Sequence, residues 1–308
     1  GRRSTDLAIG EHDRRGDQRA ACKPRDERIL TLENSFTVDV EEWFHICGVG
    51  GVLAENNWSK LPSRVVETTD RLLELLDRRE VTATFFVLGW VADRHPELVV
   101  RIRDAGHEIA SHGYAHHRVY ELAPREFSKD LDKSLDALKR AGADRVRGFR
   151  APEWSINDRS LWALELLARR GIRFDSSMAP LWLIGNPNYV EVPHRRKTPS
   201  GEIIECPPLV GRRLGQNYPL GGGWGLRMHA PRTVLREIEK RNRGGVPVTL
   251  FVHPWELDPD PPKARLPLGH RFAHYFRLEG FAARLDEILA GGTFAPMSAV
   301  LKLGADAA

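Results

Sequence analysis

Short strand-like segments alternate with longer helical ones along most of this 308-residue chain. The strand signal is a run of β-branched and aromatic residues, and the helix signal is a set of apolar residues spaced three or four apart. The predicted strands are residues 35–40, 81–87, 108–111, 146–150, 172–175 and 246–252, and the predicted helices are residues 68–79, 96–105, 124–141, 160–170, 231–243 and 281–290. A repeated strand–helix–strand order favours parallel neighbouring strands. The order therefore predicts an α/β fold with a parallel sheet, closed or open, and helices outside it.

The ends and the middle of the chain differ in composition from this alternating region. Residues 1–33 are crowded with Arg, Asp, Glu and Gly and lack apolar periodicity, so we expect a charged, flexible tail. A single domain is expected over residues 34–303, with a loop-rich insert at about residues 180–230 and a C-terminal extension. Within that extension, residues 256–270 are predicted to form a proline-rich loop and residues 297–303 one more short strand.

Composition limits the classes of protein to which the chain can belong. It is 41% hydrophobic and 29% charged, with a formal charge of +4 and a pI near 9.0. It lacks a run of about 18 apolar residues and any Lys/Arg block with interleaved aromatics, so neither a transmembrane segment nor nucleic-acid binding is expected. The three cysteines, Cys22, Cys47 and Cys206, are odd in number and far apart, which argues against a disulfide framework. We expect a cytoplasmic protein or one peripheral to the inner membrane, and a periplasmic one if a signal or an anchor has been removed.

Five polar residues lie at or just beyond the carboxyl ends of predicted strands. They are Asp39, His112, Arg150, Asp175 and His253. In parallel α/β sheets the carboxyl ends of the strands meet at one edge, and active sites form there. The sequence therefore predicts that these five side chains share a site.

Two histidines four residues apart suggest a metal site. On a helix-like turn this spacing puts His112 and His116 on one face, where both imidazoles can bind one cation, although a pair of surface histidines has the same spacing. A catalytic metal usually takes a third protein ligand, and the acidic stretch at Asp39, Glu41 and Glu42 supplies candidates. In a strand Asp39 and Glu41 point the same way, so one could bind metal while the other acts as a base.

Six ordered motifs resemble those of one enzyme family. They are Thr-Val-Asp-Val-Glu-Glu-Trp-Phe at 37–44, Ala-Thr-Phe-Phe-Val at 83–87, His-Glu-Ile-Ala-Ser-His-Gly-Tyr-Ala-His at 107–116, Gly-Phe-Arg-Ala-Pro at 148–152, Phe-Asp-Ser-Ser at 174–177 and Leu-Phe-Val-His-Pro at 250–254. With these motifs the chain resembles the polysaccharide deacetylases of the NodB-homology type, carbohydrate esterase family four. It is most similar to the branch found beside exopolysaccharide gene sets, which has a C-terminal extension.

The resemblance implies a distorted (β/α) barrel and the metal-dependent hydrolysis of N-acetyl groups on amino sugars. It implies that Asp39 is the general base, that Arg150 is the partner of this base, and that His253 is the general acid. It also implies that His112 and His116 are metal ligands and that Asp175 lies near the position that orients the general acid. Many members have two adjacent aspartates, base then ligand, where this chain has Asp-Val-Glu-Glu. The third ligand is therefore Glu41 by strand parity or Glu42 by adjacency. The implied cofactor is a divalent metal, Zn²⁺ first, with Co²⁺, Ni²⁺ or Mn²⁺ as alternatives.

Four aromatic residues beside the proposed catalytic residues are candidate walls for a pyranose ring: Trp43, Tyr114, Trp154 and Trp255. The expected substrate and partner is an N-acetylated carbohydrate polymer or oligosaccharide, of the exopolysaccharide or cell-wall type, or its lipid-linked precursor. Two alternatives remain open: a hydrolase of a small linear or cyclic amide on the same fold, and a non-catalytic carbohydrate-binding descendant. The oligomeric state stays open as well.

Overall fold

The structure, a computed structural model, describes residues 32–182 and 184–304. Almost all of the predicted flexible tail, residues 1–33, lies outside the described residues, so that expectation stays a prediction. Among the residues that are described, no helix combines the length and the apolar character that crossing a bilayer requires.

Eleven strands and ten α-helices alternate in the described part of the chain. The strands are β1 (Asn34–Val40), β2 (Thr84–Val87), β3 (Glu108–Ser111), β4 (Gly148–Phe149), β5 (Phe174–Asp175), β6 (His194–Thr198), β7 (Gly201–Glu205), β8 (Val210–Arg213), β9 (Gln216–Pro219), β10 (Thr249–Val252) and β11 (Phe294–Ala295). The helices are α1 (Val65–Arg78), α2 (Gly89–Arg94), α3 (Pro96–Asp104), α4 (Pro124–Arg140), α5 (Trp162–Arg169), α6 (Trp224–Met228), α7 (Pro231–Arg243), α8 (Leu268–Tyr275), α9 (Phe281–Gly291) and α10 (Met297–Val300).

Nine of these strands form one curled sheet. Its order is β10-β1-β2-β3-β4-β5-β7-β6, and β11 pairs with the start of β1. All neighbours are parallel except β6 and β7, and β8 and β9 form a separate antiparallel hairpin. Along the described chain the two outer strands of this order, β10 and β6, are not paired with each other, so the sheet is a half-barrel. The predicted fold class, a distorted α/β barrel, is confirmed.

The alternation of residues in β1 separates the core from the site. Phe36, Val38 and Val40 are fully buried in the main hydrophobic core, which also contains leucines of α1. Thr37 and Asp39 lie between them in sequence and point to the opposite face of the sheet, because side chains alternate along a strand. Burying each large apolar side chain contributes about 1.5–3 kcal/mol, and this holds the register that turns Asp39 inward.

A glycine-rich segment covers the outer edge of β10. The amide of Phe251 donates to the carbonyl of Gly221 over 2.9 Å, and Gly222 forms a parallel bridge with Phe251. A Cβ atom on Gly222 would lie 2.0 Å from the Phe251 ring, so only glycine fits this approach. The contact brings the end of the loop-rich insert beside the carboxyl end of β10.

Two expectations about the C-terminal extension were wrong. Residues 297–303 do not form a strand: β11 ends at Ala295 and α10 begins at Met297. Pro296, which lacks an N–H group, lies between them and suits the start of a helix. The proline-rich loop gives way earlier than expected to a helix, because α8 begins at Leu268.

Candidate active site

Four of the predicted site residues meet at one edge of the sheet. Asp39 lies near the end of β1, and His112, Arg150 and His253 directly follow β3, β4 and β10. The strands β10, β1, β2, β3 and β4 are parallel neighbours, so their carboxyl ends lie side by side. This shared edge carries the candidate site.

A carboxylate and two histidines converge there. Ligand atoms of Glu41, His112 and His116 all lie within 4.8 Å of one another, and all three residues are buried. Glu41 Oε2 is 2.7 Å from His116 Nε2 and 3.8 Å from His112 Nε2. Burial disfavours an ionised carboxylate, but attraction to His116 outweighs that effect, with smaller contributions from His253 and His112, and lowers the pKa of Glu41. These three groups could hold one metal ion.

Glu42, the other candidate ligand, faces away from the histidines. Its carboxylate accepts hydrogen bonds from the hydroxyl of Ser63 and from the amide of Arg64 at 2.9 Å. The structure therefore places Glu41, and not Glu42, beside His112 and His116.

The two histidines are held so that both Nε2 atoms face Glu41. Nδ1 of His112 lies 2.8 Å from the carbonyl oxygen of Arg150, so it carries the proton, and Nδ1 of His116 lies 3.3 Å from Sγ of Cys47. Burial lowers the pKa of His112 to about 4, which leaves a neutral imidazole. A neutral imidazole with its other nitrogen hydrogen-bonded is the usual form of a metal-binding histidine.

The loop that carries these histidines is not the helical turn that their spacing predicted. Gly113 and His116 have φ angles of +77° and +53°, in the left-handed region. Asp130 of α4 stabilises the loop by accepting hydrogen bonds from the amides of Tyr114 and Ala115 at 2.8 and 3.2 Å. A non-glycine residue in the left-handed region costs free energy that the surrounding contacts must offset, and such residues cluster at functional sites.

Asp39 forms a buried ion pair with Arg150. The Asp39 Oδ1 to Arg150 Nη1 distance is 2.6 Å, and both side chains are almost inaccessible to solvent. Arg150 also donates to the hydroxyl of Thr37 at 2.9 Å and to the hydroxyl of Ser176 at 2.9 Å. Because Arg150 is held from several sides, it fixes the carboxylate of Asp39 in one orientation.

His253 lies on the other side of the two carboxylates. Its Nε2 atom is 3.7 Å from Glu41 and 4.0 Å from Asp39, and its Nδ1 atom is 3.1 Å from Glu256 Oε2. Burial lowers the pKa of His253, but the hydrogen bond to Glu256 and the nearby carboxylates outweigh that effect and raise it. Arg227 in turn donates to Glu256 at 2.8 Å, and this second ion pair is also buried.

The structure does not bring Asp175 to His253, which corrects the predicted orienting role. Asp175 accepts a hydrogen bond from the hydroxyl of Ser177 and pairs with Glu205 in the buried interior. Glu256 occupies the orienting position instead. The signal in the sequence was a His-x-x-Glu spacing, in which Glu256 caps the short 3-10 turn that follows His253.

A cavity of about 320 Å³ opens over these groups. Trp154 and Trp255 line it, and Nε1 of Trp255 donates to Glu41 at 3.1 Å. The other two predicted sugar-binding aromatics do not line the cavity, because each is engaged elsewhere. Trp43 packs against Phe44, in the same hydrophobic cluster as Trp255, and donates to the carbonyl of Pro62, while the hydroxyl of Tyr114 donates to Asp93.

Comparison with known proteins assigns the segment around the two histidines. Residues 58–172 match the polysaccharide deacetylase family. The chain contains a polysaccharide deacetylase domain. The predicted resemblance is thereby confirmed, and the match includes His112, His116 and Arg150. Residues 176–302 match a domain of unknown function, DUF3473. This second match includes Arg227, His253 and Glu256.

Several curated proteins are similar to about a third of this chain. A peptidoglycan deacetylase-like protein, FGM2, of Gibberella zeae is 34% identical over 111 residues, 35% of this chain and 32% of that protein. The peptidoglycan-N-acetylglucosamine deacetylase of Bacillus cereus is 33% identical over 101 residues, 32% of this chain and 37% of that protein. The chain thus spans about a third of the length of these relatives.

One solved structure is similar over most of the chain. It comes from Mycobacterium smegmatis and is described provisionally as a polysaccharide deacetylase. It is 23% identical, with a TM-score of 0.59, and the alignment covers 87% of this chain and 88% of that one. At this identity the similarity supports the fold, including the part of the chain beyond the deacetylase domain.

Proposed function

We propose that this protein is a metal-dependent deacetylase that hydrolyses N-acetyl groups on the amino-sugar residues of a polysaccharide. One observation carries the proposal: a buried Asp–Arg pair, a Glu–His–His cluster and a Glu-supported histidine all surround one cavity. The expected enzyme class, a hydrolase of C–N bonds in linear amides, agrees with the deacetylase names of the relatives.

The residues of the cluster fit a divalent metal ion. Two imidazole nitrogens and one carboxylate oxygen form a common ligand set of catalytic Zn²⁺ sites, and Co²⁺, Ni²⁺ and Mn²⁺ accept the same ligand types. Glu41, His112 and His116 would hold the ion. When bound, such an ion polarises a carbonyl group and makes water more acidic near neutral pH.

Three residues would move or direct protons in this reaction. Asp39 takes the proton of the attacking water, and Arg150 keeps its carboxylate in place. As the C–N bond breaks, the Nε2 proton of His253 passes to the departing nitrogen, so the products are acetate and a free amine. His253 suits this step because Glu256 holds its other nitrogen and raises its pKa.

The proposed substrate is a GlcNAc-type polymer of the exopolysaccharide or cell-wall type, or its lipid-linked precursor. Two relatives carry the word peptidoglycan in their names, which supports an N-acetylated glycan. Trp154 and Trp255 line the cavity, and Trp255 contacts the proposed metal ligand Glu41, so both offer aromatic surfaces suited to a pyranose ring.

Acetate release tests the proposal directly. The purified chain is expected to release acetate from chitooligosaccharides or from an acetylated exopolysaccharide, to lose this activity in a chelator and to regain it with Zn²⁺ or Co²⁺. The His112→Ala variant is expected to lose both the bound metal and the activity. His117→Ala is the matched control, because His117 is adjacent to His116 but exposed and outside the cluster. Full activity in the His112→Ala variant would refute the proposed site.

A further inference from the structure

A basic segment lies in the C-terminal extension. Residues 263–277 contain four Lys or Arg residues and no Asp or Glu, so their formal charge equals the +4 of the whole chain. Lys263, Arg265 and Arg271 line a surface pocket of about 440 Å³ together with Tyr275. Within the described residues, no carboxylate lies within salt-bridge distance of these three cations. The pocket therefore presents positive charge that the carboxylates of the described residues do not neutralise.

Exposed apolar side chains lie in the same segment. Leu268 and Phe272 are 84% and 50% exposed, and they lie one turn apart on α8, on the same face of the helix. Isolated exposed apolar residues are ordinary, but large ones beside unpaired cations indicate an interaction surface.

Helix α8 and Ile184 both contribute to the lining of the active-site cavity. His270, Ala273 and His274 of α8 line the cavity, whereas Leu268, Arg271 and Phe272 lie on the other side of the helix, which has 3.6 residues per turn. One face of α8 therefore lines the cavity, and the face that carries Leu268, Arg271 and Phe272 is turned away from it.

We propose that residues 263–277 form a docking surface for an anionic lipid bilayer. Basic side chains beside exposed apolar ones are the combination that binds a lipid–water interface, since the cations attract acidic headgroups and the apolar groups enter the boundary of the acyl chains. A neutral glycan fits less well, because Leu268 is aliphatic and a neutral sugar has no charge to pair with the cations. The proposal goes beyond the proposed deacetylase function and does not depend on it.

Vesicle binding tests this surface on the full chain without any activity measurement. Co-sedimentation is measured with vesicles of equal parts phosphatidylglycerol and phosphatidylcholine, and with phosphatidylcholine alone. The first variant replaces the three pocket cations: Lys263→Gln, Arg265→Gln and Arg271→Gln. Its matched control removes the same charge from exposed positions of α4, which does not line the cavity: Arg125→Gln, Lys129→Gln and Lys139→Gln.

We expect binding to the anionic vesicles only, and weaker binding at higher salt. Each basic residue near an anionic surface is worth about a fivefold change in affinity, so the pocket variant should bind roughly a hundredfold more weakly. The control on α4 should change binding several-fold at most. The variant Leu268→Ser, Phe272→Ser should also bind more weakly, while circular dichroism shows that it remains folded.

Three results would overturn the proposal. One is the absence of binding to the anionic vesicles. Another is an equal loss of binding in the pocket variant and the α4 control, because it would show that only the net charge matters. The third concerns a free anion: if millimolar inorganic phosphate binds the pocket and releases the protein from vesicles at constant ionic strength, the pocket recognises a soluble anion instead of a membrane.

Discussion

Two buried carboxylates, two residues apart in the chain, have different neighbours and therefore different chemistry. Asp39 pairs with Arg150, whose guanidinium orients it without removing it from the cavity. Glu41 faces His116 and accepts a hydrogen bond from the indole of Trp255. The first environment suits a residue that accepts a proton, and the second suits a metal ligand.

This difference predicts two distinct variants. Asp39→Asn should keep its bound zinc but lose at least about a hundredfold in turnover, the smallest effect expected of a general base. Glu41→Gln should lose both the turnover and the bound zinc, because a neutral amide is a weak ligand. Metal content by elemental analysis and acetate release, measured on the same samples, separate the two. Loss of zinc from Asp39→Asn would show that the roles are reversed.

A second residue-scale prediction concerns the support of His253. Glu256→Gln removes the charge that holds the Nδ1 proton. Deacetylation of an amino sugar should fall by about tenfold to a hundredfold, part of what a general acid contributes. Hydrolysis of 4-nitrophenyl acetate should change little, because its leaving group departs without a proton.

The control for this measurement is Asp258→Asn. Asp258 is also buried in the segment after β10 and pairs with Arg64, but it does not line the cavity. Equal losses on both substrates in the Glu256→Gln variant would indicate general damage to the site instead of a lost proton donor.

At the scale of elements, the site depends on how loops are tied to helices. Asp130 of α4 holds the loop between His112 and His116 through two amide groups. Arg227 of α6 connects Glu256 to the end of α8, since it donates to the carbonyls of Ala273 and Phe276, each at 2.5 Å. A cation suits that position, because the last carbonyl groups of a helix have no partner within the helix.

The loop makes a testable prediction. Asp130→Ala leaves the amides of Tyr114 and Ala115 without their acceptor, so the loop should relax and shift His116. Zinc affinity, measured by competition with a chelating dye, should fall by about tenfold to a hundredfold, as for other residues that orient metal ligands. Asp132→Ala on the same helix is the control, because Asp132 pairs with Arg170 at the surface. Unchanged affinity in Asp130→Ala would mean that the loop holds its shape without this contact.

At the scale of the whole molecule, a buried pair of acids links β5 to β7. Burial raises the pKa of Asp175 to about 6 from its ordinary 3.8, and it raises that of Glu205 as well. Two negative carboxylates cannot both be accommodated in the buried interior, so the pair of Asp175 and Glu205 retains a proton in the folded state. The unfolded chain gives up that proton at lower pH.

The free energy of unfolding should therefore fall as pH rises from about 4 through 6 and beyond, because the folded state binds more protons than the unfolded state. The slope contributed by one retained proton is up to about 1.4 kcal/mol per pH unit. Glu205→Gln replaces the protonated acid with a neutral analogue and should reduce this slope in urea unfolding between pH 5 and pH 8. Glu202→Gln, a more exposed position of β7, should leave it unchanged. Identical slopes in both variants would argue against a shared proton.

Elements with local signals were predicted closely. Helix α7 and strand β3 have the predicted bounds, because proline begins the helix and short apolar runs mark the strand. Two of the four candidate sugar-binding aromatics do not line the cavity. Trp43 and Trp255 both adjoin a site residue in sequence, but only Trp255 lines the cavity, and nothing local distinguishes them.

The sequence alone determined the alternation of strands and helices, and with it the edge at which Asp39, His112, Arg150 and His253 meet. It could do so because hydrophobic period and turn residues depend on neighbours a few positions apart. Only the tertiary structure placed Glu41, and not Glu42, beside the two histidines, and Glu256, not Asp175, beside His253. Those choices depend on contacts such as that between Glu41 and Trp255, 214 residues apart, which form only when the sheet curls.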